Sequence, residues 1–316
     1  MDLTTRYLGL TLKNPLIASA SPLGFVLENI VELEDKGAAA VVLPSIFEEQ
    51  LAAPAGGYFP PPADYRAGPQ RYLELIRRAR ESVEIKIIAS LNGTSDAGWI
   101  DYAKQAEQAG AHALELNLYV VPTDLAVSGE AVEQRCLDVV HHVKQAVTIP
   151  VAVKLGPFFS APGNFVGRLD AAGADGVVLF NRVYQPDIDL RAMRLEHDLA
   201  LSTPHEIRLP LLWISLLAGE FSGSIAASTG VDSADEVIKY LLAGADVVMT
   251  TSALLRYGIG HIAGLKSGLS RWLSQHGANS VDEIRGQFSR RRLGRADDAA
   301  RADYLKILQA GDRRES

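Results

Sequence analysis

Lys154 closes the apolar run Val151-Ala-Val, where an ammonium is too costly to bury alone, so it points to a bound anion or a polarised carbonyl, with an ordinary salt bridge as the alternative. Asn117 and Asn181 close two further apolar runs in the same way. Two more runs end in small or hydroxyl-bearing residues, Ala227-Ser-Thr-Gly230 and Thr250-Thr-Ser252, which let a ligand approach the backbone. Phosphate is held at such places by backbone N–H groups and the start of a short helix. As a pair on consecutive strands, these segments favour a phosphorylated ligand over simple turn chemistry.

Those residues need elements that bring them together. Four places share one pattern, a helix ending at glycine followed by an apolar strand: Gly37 to Leu43, Gly110 to Leu116, Gly173 to Leu179 and Gly244 to Met249. They recur roughly every 65–70 residues, the length of two strand-plus-helix units. Between them lie Pro15 to Ser19, Lys86 to Ser90, Pro150 to Lys154 and Ser224 to Ser228, which makes eight short strands. Their continuous Val, Ile and Leu content suits a parallel sheet buried on both faces. Helix-period segments separate them, among them Pro69 to Arg78 and a stretch opened by Ser233 and Glu236 at capping-box spacing. The pattern predicts an α/β chain folded as a (β/α)8 TIM barrel in a single domain over 1–316, with a doubly wound open sheet as the alternative. Loop insertions at about 47–68 and 183–221 leave strand C-terminal ends, where they could cover a substrate pocket. A C-terminal extension at about 278–316, opened by Ser280 and Glu283, reads as an accessory helical segment with a frayed end.

Composition narrows the partners. With 31 basic and 38 acidic residues the chain carries a net charge of −7, which offers no basic face for nucleic acid and leaves a small molecule as the expected partner. The single cysteine, Cys136, excludes an intramolecular disulfide and reads as a packed helix residue. No leader-like or membrane-spanning run is visible, so a cytoplasmic location is expected. The scattered histidines, with His141 and His142 adjacent on a helix, predict no metal site.

Taken in order, Lys13-Asn-Pro-Leu-Ile-Ala-Ser-Ala20, Glu115-Leu-Asn-Leu118, Val153-Lys-Leu-Gly-Pro157, Leu179-Phe-Asn181, Ser228-Thr-Gly230 and Thr251-Ser-Ala-Leu254 carry a resemblance. The chain resembles the dihydroorotate dehydrogenases along nearly its whole length, most closely the class 1 type and, within it, relatives of unassigned substrate. The resemblance implies FMN, with Ala18, Ser19 and Ala20 beside the ring and Lys154 near its N1–C2=O edge. It implies Ser45, Asn92 and Asn117 along the pocket, Asn181 at cofactor or substrate, and the backbone of Ser228, Thr229, Gly230, Thr251 and Ser252 around the phosphate. A homodimer is likewise implied.

The substrate half departs from that family. Where its strand-four motif carries a cysteine base, this chain reads Asn117-Leu-Tyr-Val-Val-Pro122, and Val120 cannot accept a proton. The family's substrate loop is replaced by the Gly56 to Arg66 stretch, and a flavin-contacting lysine of the second strand is Pro44. Loss of a general base costs about 10²–10⁴ in rate. Alongside Lys154 and Asn117, Tyr119 is the nearest substitute acid or base, with Asp124, Arg182 and Tyr184 as further substrate-pocket candidates. Three functions follow: an FMN oxidoreductase passing hydride between a small metabolite and flavin N5, a dihydroorotate dehydrogenase with a substitute base, or a non-redox barrel binding a phosphorylated ligand or a partner subunit.

Overall fold

The computed structural model describes residues 1–47, 68–93, 99–182, 185–196, 200–294 and 299–311. The chain opens with an antiparallel hairpin, β1 (Thr5–Tyr7) and β2 (Leu10–Leu12). The eight expected strands follow: β3 (Leu16–Ala18), β4 (Ala40–Val42), β6 (Lys86–Asn92), β7 (Ala113–Leu118), β8 (Val151–Leu155), β9 (Gly176–Leu179), β12 (Ser224–Ala227) and β13 (Val247–Thr250). All pair in parallel, and the pairing of β4 with both β3 and β6 closes the sheet into a barrel. The open-sheet alternative is thereby excluded. A two-residue strand, β5 (Ile46–Phe47), extends the pairing at the end of β6.

Period-two alternation sorts each strand's side chains. Ile17, Val42, Ile88, Ala113, Ala152, Val178, Ala226 and Met249 fill the interior, while Leu16, Val41, Ile87, Leu114, Val153, Val177 and Val248 face the helices. Burying each large aliphatic side chain contributes about 1.5–3 kcal/mol. The helix at Pro69–Ser82 has proline in its first turn and buries Tyr72, Leu73, Ile76 and Ala79, one stripe at helical spacing. The predicted capping box holds at the start of the helix Ala234–Ala243, where Ser233 N–H donates to the Glu236 carboxylate at 2.8 Å. The four glycines that end helices all take positive φ, between 96° and 121°, and the strands begin three residues after each.

One expectation needs correction, and the C-terminal helical segment is present in shorter pieces. The 183–221 insertion is shorter than its span suggests, because Arg208–Leu217 is a helix that buries Pro210, Ile214 and Leu217 between β9 and β12, the place of a barrel helix. Its apolar content hides the helical period. What remains includes an exposed hairpin, β10 (Asp187–Asp189) and β11 (Arg194–Glu196), and a 3-10 turn at Pro204–Ile207. The Ser280 cap is real, but the helix it opens, Val281–Ile284, is a single turn; a longer one follows at Ala299–Gly311. The 47–68 insertion lies almost wholly outside the described residues.

The opening hairpin plugs the N-terminal end of the barrel. Tyr7, Leu8 and Leu12 pack into the interior cluster, and Leu8 N–H donates to Ser224 Oγ at 2.9 Å. The fit requires Gly176: a Cβ there would stand 2.6 Å from Leu8 Cδ2 and 3.0 Å from the Ser224 carbonyl oxygen.

Candidate active site at the open end of the barrel

The opposite end holds a cavity of about 330 Å³, large enough for a small ligand. It is reached from β3, β7, β8, β9, β12 and β13, whose C-terminal ends deliver Ser19 and Ala20, Asn117, Lys154, Asn181, Ser228 to Gly230, and Thr251 and Ser252. Ser45 joins them, its Oγ 2.8 Å from Ser90 Oγ. Most of the residues singled out in the sequence therefore meet in one place.

Lys154 forms part of the floor and is 6% exposed. Its Nζ donates to Ser19 Oγ at 3.3 Å and to Glu115 Oε1 at 3.5 Å. The salt bridge given as the alternative is present, and Lys154 also borders the cavity. Asn181 Nδ2 donates to Asn117 Oδ1 at 2.8 Å, which orients both amides at the rim.

The ends of β12 and β13 are locked from behind. Thr229 has φ of 81°, an uncommon conformation for a β-branched residue and one that surrounding structure must hold. Two bonds hold it: Thr229 Oγ1 donates to the Phe180 carbonyl at 2.8 Å, and Tyr240 Oη donates to the Thr229 carbonyl at 2.8 Å. Burial pushes the Tyr240 phenol far above its usual range, so it stays a donor. Thr251 Oγ1 donates to the Ser19 carbonyl at 2.9 Å, tying β13 to β3 across the barrel seam.

Several expected residues lie elsewhere. Ala18 faces the helix shell, because alternation turns it away from the cavity that its neighbour Ser19 borders. Asn92 is buried at the end of β6, beside Asn117 in register, and does not border the cavity. Tyr119 is half-buried past the end of β7 and also stands outside the cavity wall. Asp124 is exposed, accepts from Ala126 N–H at 2.9 Å in a loop turn and does not border the cavity. Arg182 does border the cavity, steadied by Glu206 at 3.1 Å and by the Ala200 carbonyl. It also borders a neighbouring cavity of about 340 Å³. Tyr184 lies outside the described residues. Val120 packs against the outer core, and Cys136 is a buried helix residue whose thiol burial pushes up to about 11.

Two residues escape sequence reasoning. Ser202, from the segment before the 3-10 turn, is 5% exposed and inserts between the ends of β12 and β13. Its Oγ accepts from Gly230 N–H at 3.2 Å and donates to Ser252 Oγ at 2.9 Å, and nothing in its neighbourhood in the sequence marks it. Glu115 is fully buried inside the barrel, and among the described residues its Oε2 has no hydrogen-bond partner. Its signal was available: an acidic side chain two residues before Asn117, on the inward-facing phase of an apolar strand.

A closed parallel barrel with a polar cavity at its strand C-terminal ends, a lysine in its floor and hydroxyl-rich rims on its last two strands defines a barrel enzyme. Residues 64–273 match the family model described as dihydroorotate dehydrogenase, and the chain belongs to that family. It is similar to the Escherichia coli NAD-dependent dihydropyrimidine dehydrogenase subunit PreA, 23% identical over 90% of this chain and 76% of the relative. It is similar also to the catalytic subunit of dihydroorotate dehydrogenase B (NAD(+)) of Pyrococcus abyssi, 29% identical over 88% of this chain and 96% of the relative. Dihydroorotate dehydrogenase A (fumarate) of Lactobacillus delbrueckii is 24% identical over 88% and 96% respectively. The chain is accordingly an oxidoreductase of the dihydroorotate dehydrogenase type, which sets aside the non-redox barrel. No helix among the described residues is long and apolar enough to cross a membrane.

Proposed function

We propose that the chain is a single FMN-binding domain that exchanges a hydride between a small reducible metabolite and the flavin, with a proton relay unlike that of dihydroorotate oxidation. The observation that carries this reading is Lys154, an ammonium at the floor of a cavity whose rims on β12 and β13 are rich in hydroxyls. The donor set fits FMN: a cation for an electron-rich ring edge, two amides at the rim, and hydroxyls with first-turn N–H groups at Ser252 for a phosphate. The Gly230 N–H is already engaged by Ser202, whose own hydroxyl proton goes to Ser252, so phosphate contacts on that side fall to the Thr229 N–H and the Ser252 hydroxyl.

Bound FMN supplies hydride acceptance and release at N5. Lys154 favours negative charge at the cavity floor, an effect strongest where water is excluded. Asn117 and Asn181, fixed by their mutual hydrogen bond, orient whatever lies above them. Arg182, steadied by Glu206, stands at the wall where a substrate's polar group is recognised. Val120 can neither take nor give a proton, so the reaction's proton moves by another route and dihydroorotate is a poor substrate. We place the enzyme in the cytoplasm as a homodimer.

The visible spectrum tests this directly. Purified protein, fresh or after incubation with FMN and desalting, is expected to show flavin absorption that bleaches anaerobically with its metabolite. Protein that stays colourless throughout overturns the reading.

A further inference from the structure

We propose that Glu115 is the residue that positions Lys154 and sets how strongly its charge acts on the cavity, an inference that rests on the flavin reading above. In the register of the barrel Glu115 pairs with Ala152 and Asn117 with Lys154, so the carboxylate lies one layer beneath the ammonium on the adjacent strand. Both side chains project into the barrel interior, where Glu115 is 0% and Lys154 6% exposed. Lys154 is the cation paired with Glu115, at 3.5 Å.

A carboxylate kept only to hold a barrel together has both oxygens satisfied, because a buried unsatisfied acceptor is costly. Glu115 does not meet that description. Oε2 lacks a hydrogen-bond partner among the described residues, as does the hydroxyl of Tyr7 from the plug below, although the two are close enough for the carboxylate to help raise the Tyr7 phenol after burial itself. Apolar residues of similar volume would stabilise such a place as well or better than an ion pair. Unsatisfied buried groups of this kind are retained where they act on a site.

The geometry gives Glu115 that action. An ammonium held from below by Glu115 and from the side by Ser19 keeps a third N–H, and the two bonds tether it to the cavity floor. The same carboxylate offsets part of the ammonium's field, so the pair presents the ligand with a tempered positive charge. Removing the negative charge while keeping the side chain's shape therefore makes the floor more positive and favours the two-electron-reduced, more negative form of a bound flavin.

The experiment compares the wild-type protein, Glu115→Gln and Glu115→Asp, each loaded with FMN, by equilibrium reduction against a reference dye. Glu115→Gln is expected to shift the reduction equilibrium at least ten-fold toward reduced flavin, equivalent to about 30 mV for a two-electron couple. That size is what a unit charge produces across one barrel layer at an effective dielectric constant of about 20. Glu115→Asp, which keeps the charge but withdraws it by one methylene, is expected between the wild type and Gln. An equilibrium within two-fold of wild type in the Gln protein overturns the inference; if Gln does not fold, an Asp protein shifted no further toward reduced flavin than wild type overturns it. A wild-type protein that takes up no flavin overturns the cofactor reading along with it, whereas flavin uptake with unmoved potentials sinks this inference alone.

Discussion

Lys154, Asn117 and Tyr119 are the three catalytic candidates, and the structure separates Tyr119 from the other two, which both border the cavity. Lys154 borders the cavity; Tyr119 stands beyond its wall. If FMN sits as proposed, replacing Lys154 by Met removes charge stabilisation at its reacting edge, a change that typically costs about 10²–10³ in kcat. The rate of flavin reduction in anaerobic stopped flow, normalised to bound flavin, is expected to fall by that factor. The variant also strands Glu115 as an unpaired buried carboxylate, so its melting temperature falls too. Tyr119→Phe, by contrast, is expected to leave the reduction rate within about three-fold of wild type. A drop of about 10²–10⁴ in that variant, the signature of a lost general base, would restore Tyr119 to the mechanism. The same residue-scale logic explains why Val120 matters: it packs against the outer core, so neither its chemistry nor its position serves proton transfer.

At the scale of elements, the strands were readable because parallel strands buried on both faces leave unbroken runs of Val, Ile and Leu, four of them announced by a helix-ending glycine. The site residues were readable for a related reason, since a polar residue closing such a run has only the barrel mouth to face. The helix at Arg208–Leu217 was not, because RLPLLWISLL is apolar all round and opens beside an irregular insertion. Ser202 was not either: its role comes from contacts with Gly230 and Ser252, 28 and 50 positions away, which no local pattern encodes. Ala18 turns its side chain away from the cavity for a subtler reason. Membership of the right strand says nothing about which face a side chain takes, and one step of register sends it to the helix shell. Element packing also yields a stability test at the plug. Gly176→Ala forces a methyl against Leu8 and the Ser224 carbonyl, an overpacking worth about 1–3 kcal/mol. Leu8→Ala in the same chain removes the closer of the two obstacles, so chemical denaturation is expected to give a double variant less destabilised than the sum of the two single ones. Strict additivity would mean that Leu8 and Gly176 do not share a contact.

For the molecule as a whole, the two ends of the barrel have opposite fates. The N-terminal end is filled by Tyr7, Leu8 and Leu12, whereas the C-terminal end carries every polar residue that the cavity uses. Among the described residues the tube is stoppered at its base, so the molecule that gives up electrons and the one that collects them are expected to use the same mouth in turn. Steady-state kinetics with both varied should therefore give parallel double-reciprocal lines, the mark of a shuttle in which the first visitor departs oxidised before the second arrives. Intersecting lines would mean that electrons leave by some other path through the wall.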